Sequence, residues 1–279
     1  MNQDAKPPIN PGKPHVTPAG WTSLRRFTDA RIALGRAGHS QPTAPHLAFQ
    51  LAHAQARDAV HLPFDAHGVA AGTQALGLDV VHLHSAAADR ATYLQRPDLG
   101  RRLDEASRAL LQRRQSGPVD LSFVVGDGLS ALAIHQNAVP LIEATLQRLR
   151  GDKSPWTLGP VAIVEQARVA VGDEAGAGLQ ARCVVVLIGE RPGLSSPDSM
   201  GLYLTWAPQP GLTDANRNCI SNVRPAGLAI EAAAAKLVHL LAAARQGQIS
   251  GVGLKDEHDE HAALPAGCSD PSQNFLLGH

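Results

Sequence analysis

The chain has 279 residues, 44% of them hydrophobic, and its 25 basic and 25 acidic side chains cancel to zero net charge. That is enough apolar material for a sizeable core in one or two domains, while the lack of a basic excess argues against a dedicated nucleic-acid binder. Aromatics at 4% argue against a stacking platform for single strands, and three widely spaced cysteines (Cys183, Cys219, Cys268) make neither a disulfide framework nor a CxxC zinc site and suit a reducing cytoplasm.

Residues 1–20 carry five prolines and few large apolar groups, which predicts a disordered tail. That segment has no apolar centre or cleavage pattern of a signal peptide, and no run approaches the roughly 18 apolar residues of a membrane span. Thr22–Leu34 alternates Leu24, Phe27, Ile32 and Leu34 with charged residues and predicts an amphipathic helix ending at Gly35. Pro45–Val60 also reads as helix. Leu78–His84 reads as a short strand. Asp98–Gln115 has Pro97 and Asp98 at its start, Leu99, Leu103, Ala106 and Leu110 on one face, and Gly117 beyond its end, a helix pattern.

From Val119 the pattern changes. Strands are predicted at Leu121–Val125, Val161–Val164, Arg182–Ile188 and Leu202–Trp206. Helices are predicted after Gly126-Asp127-Gly128-Leu129-Ser130, from Pro140 to Arg150, over Asp173–Leu179 and over Ala229–Arg245. Alternating strands and helices predict an α/β fold: a mostly parallel, Rossmann-like sheet flanked by helices, with a mainly helical N-terminal region. The expected divisions are a tail over 1–20, a helical domain over 21–117, the α/β domain over 118–250 and a loose tail over 251–279.

Gly189–Leu228 is long, polar and poor in helical periodicity, and a chain rarely keeps so much irregular backbone without a use for it. It leaves a buried strand through Gly-Glu190-Arg-Pro-Gly, and open α/β sheets bind ligands at the carboxyl ends of their strands. Glu190 is thus a candidate acceptor for amide or hydroxyl donors, with a solvated loop carboxylate as the plainer reading; Arg191 would pair with it or face a partner. The Gly126–Ser130 turn offers helix N-terminal N–H groups to an anion, although it is neither GxGxxG nor a P-loop, and a tight turn capped by Ser130 accounts for it equally. A nucleotide-binding or scaffold module is the alternative function this turn supports. Cys219 or Ser130 as a hydrolase nucleophile lacks a nearby general base in sequence. His82 with His84, and His258 with His261, have no metal-ligand partners at a recognisable spacing, and no metal site is predicted. Asp65-Ala66-His67 starts like DxHxxG, but position 70 is Ala rather than Gly.

Five blocks in order resemble the small (light, β) subunit of ethanolamine ammonia-lyase: TDARIALGRAG (28–38), RPDLGRR (96–102), GDGLSA, GERPGLSSPDSMGLYLTWAP and NRNCISNVRPAG. The resemblance spans about Leu24 to about Ala244. It implies a carbon–nitrogen lyase that uses adenosylcobalamin and works only as a complex, with a large TIM-barrel subunit that turns ethanolamine into acetaldehyde and ammonia by radical chemistry. It implies a hexamer of heterodimers in which the small subunit encloses the corrin. It implies that Val169, Glu190 and Cys219 contact the cobalamin and that no residue of this chain is catalytic. A carboxylate suits the corrin's amide rim, and Val and Cys suit its apolar edge. The resemblance implies a cytoplasmic enzyme and allows packaging in a bacterial microcompartment, but the amphipathic N-terminal helix that serves such packaging is missing, because that region is Pro-rich. An uncovered cofactor face predicts poor solubility of the lone subunit.

Overall fold

Cys183-Val-Val-Val-Leu-Ile188 is apolar without alternation, as a strand covered on both faces has to be. It lies in β4 (Ala181–Gly189), at the centre of a six-stranded sheet. The structure is a computed structural model and describes residues 15–114, 117–151 and 154–255. These form two compact units: residues 15–58 with 193–195, and residues 59–192 with 196–255.

The larger unit holds the sheet, in the order β1 (Val80–His84), β3 (Val161–Glu165), β2 (Val119–Gly126), β4, β5 (Met200–Trp206), β6 (Arg217–Val223). The sheet is mixed, which corrects the expectation of a mostly parallel, Rossmann-like one. β1, β3, β2 and β4 are parallel, whereas β5 and β6 are each antiparallel to their predecessor. The reason is the connections: α-helices join the parallel strands, whereas β4 is joined to β5 by a loop and β5 to β6 by a loop with one short 3₁₀ turn, Asp214–Asn216. β1 lies in the strand expected at Leu78–His84, within the region expected to be mainly helical, and the boundary drawn at Gly117 falls inside the larger unit.

One face of the sheet packs on α2 (Ala66–Ala75), α5 (Ala131–Leu149) and α7 (Ile230–Gly247), through Phe123, Ile134, Leu141, Val185, Leu202, Leu237 and their neighbours. The opposite face packs on α4 (Glu105–Arg113) and α6 (Val171–Gly178) through Leu111, Val124, Val164, Val171, Val184 and Val186. The remaining helices are α1 (Thr43–His61) and α3 (Arg90–Gln95).

Four local expectations are corrected. Thr22–Leu34 is helical only as a 3₁₀ segment, Thr22–Phe27, because Thr28 turns extended and its side chain accepts from the Ala30 N–H. Asp98–Gln115 is interrupted: Arg102 is extended, Leu103 bridges Ser85 and is fully buried, and Asp104 caps α4 through the Ser107 N–H at 2.7 Å. Pro140 lies inside α5 rather than at its start. Its ~3 kcal/mol cost is outweighed because Ala133, Ile134 and Ala138 before it bury completely in the core. Asn218–Asn222, read as irregular, belongs to β6. Of the expected tails, residues 1–14 and 256–279, with His258, His261 and Cys268, lie outside the described residues. Among the described residues no helix is long and apolar enough to cross a membrane.

Candidate functional site

β2 hands on to α5 and β3 hands on to α6 on opposite faces, so the crevice between their carboxyl ends is the topological switch point where such sheets take ligands. Here the chain fills it. Asp127 is buried and accepts from the Ala167 N–H at 2.8 Å and the Gly128 N–H at 3.0 Å, and pairs with Arg90 at 3.1 Å. Burial pushes its carboxyl up to about 6, against the opposing pull of the Ala167 N–H and Arg90. Arg90 also donates to the carbonyls of Val60 and Gly128 at 2.8 Å each. The Arg90 and Arg168 guanidiniums lie 4.8 and 4.3 Å from the Tyr93 ring centroid, and the Tyr93 hydroxyl donates to the Ala167 carbonyl at 3.0 Å.

In the Gly126–Ser130 turn, two of the N–H groups that a phosphate would need are already used inside the chain. Leu129 N–H goes to the Gly189 carbonyl, and Gly128 N–H goes to Asp127. Ser130 is fully buried, caps Ala133 N–H and donates to the Pro197 carbonyl at 2.7 Å. Gly128 has φ +58, and a side chain there would run into the Gly189 backbone. The glycines therefore lock the turn to the end of β4 and deliver Glu190.

The open surface lies further along the sheet, over β4–β6. Side chains alternate across a strand, so Gly201, Tyr203 and Cys219 share the face that α6 covers elsewhere. Cys219 is paired with Tyr203 and is exposed, while Tyr203 is half-buried. At the edge, Glu190 is half-buried; its Oε2 accepts from the Ser199 hydroxyl and from the Asn222 N–H at 3.3 Å. Its Oε1 lies over Gly201, where a Cβ would come within 2.9 Å of it and within 3.1 Å of Tyr203. Burial raises the Cys219 thiol, the Tyr203 hydroxyl bonded to it pulls it down, and the Glu190 charge raises it further. Val169 sits in the loop from β3 to α6, half-buried against the same apolar cluster as Tyr203. The fold thus joins Glu190 and Cys219 through Tyr203. Val169 stands across that cluster, and Cys219 lies in mid-strand rather than at a strand end.

Sequence reasoning missed Tyr203, Ser199 and Gly201. The available signal was scarcity: the chain has two tyrosines, and both lie in polar clusters. Among the described residues Arg191 makes no ion pair with Glu190. His82 lies 5.4 Å ring to ring from His67, and Asp65 caps α2 through the Gly68 N–H. Among the described residues no three His, Cys, Asp or Glu side chains cluster as metal ligands. Cys219 has Tyr203 and Glu190 beside it rather than the histidine that a nucleophile would need.

Fold and site define an α/β protein with a filled switch point and an open sheet face, edged by one carboxylate and floored by Tyr203, Cys219 and a glycine. The family model "Ethanolamine ammonia-lyase light chain (EutC)" matches residues 18–255. The chain is 58% identical over 261 residues to an ethanolamine ammonia-lyase small subunit of Azotobacter vinelandii, covering 92% of this chain and 95% of the relative. Against the small subunit of Ralstonia nicotianae it is 58% identical over 265 residues, covering 94% and 96%. Against that of Pseudomonas putida strain GB-1 it is 55% identical over 270 residues, covering 95% and 98%. The chain belongs to the ethanolamine ammonia-lyase light-chain family. Its role is that of a small subunit in a lyase complex, and a large subunit is its partner.

Proposed function

We propose that this chain closes an adenosylcobalamin site against the large subunit, in a cytoplasmic enzyme that converts ethanolamine to acetaldehyde and ammonia. The observation that carries the reading is the seat of Glu190. The carboxylate is anchored through Oε2 by Ser199 and Asn222, while Oε1 lies on the bare backbone of Gly201. An anchored acceptor with one oxygen to spare beside a glycine, where no side chain crowds it, fits the amide-bearing rim of a broad, flat ring. The donor set therefore fits the cofactor: Glu190 would accept from a peripheral amide, and Cys219 and Val169 would supply apolar contact. When bound, adenosylcobalamin supplies the radical chemistry.

The chain's own part is to bind, orient and exclude water. Tyr203 and Cys219, cross-strand partners in β5 and β6, form a half-apolar floor, and burial, which raises both ionisations, keeps that floor neutral at pH 7. Ser199 and Asn222 hold Glu190 so that little side-chain freedom remains to be lost on binding. A water-free enclosure protects reactive intermediates, which is what a lid subunit can add to a barrel that carries the reacting groups. Repetition of the pair as a hexamer of heterodimers belongs to the same proposal. The nucleotide-module alternative is the weaker reading, since the Gly128 and Leu129 N–H groups of the turn are already used inside the chain.

The test is reconstitution with a matching large subunit, adenosylcobalamin and ethanolamine. Acetaldehyde should form only when both subunits are present. Equal formation by the large subunit alone would refute the reading.

A further inference from the structure

Helix α1 is amphipathic in the wrong sense for a free surface. Its small residues Ala52 and Ala56 are buried, whereas Leu47 and Leu51, one turn apart on the side away from them, are 56% and 61% exposed. The same compact unit exposes Trp21 and Phe27, with the Arg26 guanidinium 4.6 Å from the Phe27 ring centroid. Exposed apolar residues are ordinary when scattered, but a helix that buries alanines and presents leucines, within a unit that also presents Trp and Arg, has the composition of an interface centre.

The charge says what covers it. Residues 15–58 hold five arginines (Arg25, Arg26, Arg31, Arg36, Arg57) against two aspartates (Asp29, Asp58), a net +3 with histidines neutral, while the whole chain is neutral. A groove of about 800 Å³ runs through this unit, lined by Arg25, Arg26 and Arg31 together with Asp29, the one carboxylate in its wall. Two such faces would repel, so a second copy of this chain is a poor occupant. A single-stranded nucleic acid would want stacked aromatics rather than leucines.

We infer that residues 15–58 are a docking surface for an acidic, apolar-centred face of the large subunit. This rests on the small-subunit reading and adds where the partner grips and with what chemistry. The cofactor face over β4–β6 then need not supply the affinity that holds the subunits together.

The test measures binding of the full chain to the purified large subunit by interferometry at 50 and 500 mM salt, with thermal melts of each variant. Arg25→Glu/Arg26→Glu/Arg31→Glu is expected to weaken binding at least tenfold at low salt and to flatten its salt dependence. Leu47→Glu/Leu51→Glu is expected to weaken it at least tenfold at both salts. Both sites are exposed, so melting should be unchanged; Leu47→Ala/Leu51→Ala should show a smaller loss of the same kind should the Glu variant melt early. Wild-type affinity in all variants would overturn the assignment and leave the small-subunit reading intact. Loss of self-association by these variants with large-subunit binding unchanged would overturn it in favour of a second copy. No binding by the wild-type chain would overturn both.

Discussion

Gly201→Ala isolates the seat of Glu190. The added methyl would stand 2.9 Å from Glu190 Oε1, 3.3 Å from its Cγ and 3.1 Å from Tyr203 Cε2. Residue 201 is in β5 without a positive φ, so alanine suits the backbone and the cost is steric. Overpacking of this kind costs ~1–3 kcal/mol. The stiffer unfolded chain returns about 0.4–1 kcal/mol, which leaves a net loss on the order of 1–2 kcal/mol in urea unfolding. Relief comes most easily by swinging the carboxylate outward, which breaks its bonds from Ser199 and Asn222. A displaced acceptor should weaken adenosylcobalamin binding by the reconstituted complex at least tenfold, about 1.4 kcal/mol. The assay is absorbance titration of cofactor into the complex, beside urea unfolding of the variant. Unchanged cofactor affinity together with the expected stability loss would refute the claim that Gly201 is bare for the sake of Glu190.

Gly128→Ala drives a side chain into the Gly189 backbone at a positive φ, and should cost at least ~2 kcal/mol in urea unfolding. Arg217 pairs in the core with Asp173, whose carboxyl burial pushes up to about 6 despite that cation. Arg217→Met should therefore cost about 3–5 kcal/mol, and Arg217→Met/Asp173→Leu should recover much of it; equal loss in the two variants would contradict the buried-charge explanation. Asp127 holds its proton more tightly folded, at about 6, than unfolded, near 3.8. Its contribution to stability therefore falls as pH rises from about 4 to about 6, by about 3 kcal/mol, and is level above that. Urea unfolding across that window should show this fall in the wild type, reduced in Asp127→Asn; parallel curves would contradict it.

The central strands were legible because their chemistry leaves no alternative: β2, β3 and β4 are short apolar runs bounded by glycine, proline or charge, and burial on both faces demands that composition. Helix ends were harder. Pro140 was outvoted by core packing. The Asp98–Gln115 periodicity hid a break whose better signal was Asp104, three residues before Ser107. β6 was missed because its exposed face carries Cys219 and Ser221 rather than an apolar alternation, the open face itself erasing the pattern. Glu190 was legible from position alone, since it follows a buried strand. Tyr203 and Gly201 were not, because their roles depend on antiparallel pairings between strands that sequence spacing does not fix.

The central claim is that the β4–β6 face lies against the cobalamin, and Cys219 is an exposed thiol in the middle of that face. Timed maleimide labelling, with the modified residue mapped by mass spectrometry, reads this directly. Cys219 should be labelled in the two-subunit complex without cofactor and protected when adenosylcobalamin is added, while fully buried Cys183 stays unlabelled in both. An equal Cys219 labelling rate with and without adenosylcobalamin would contradict the account.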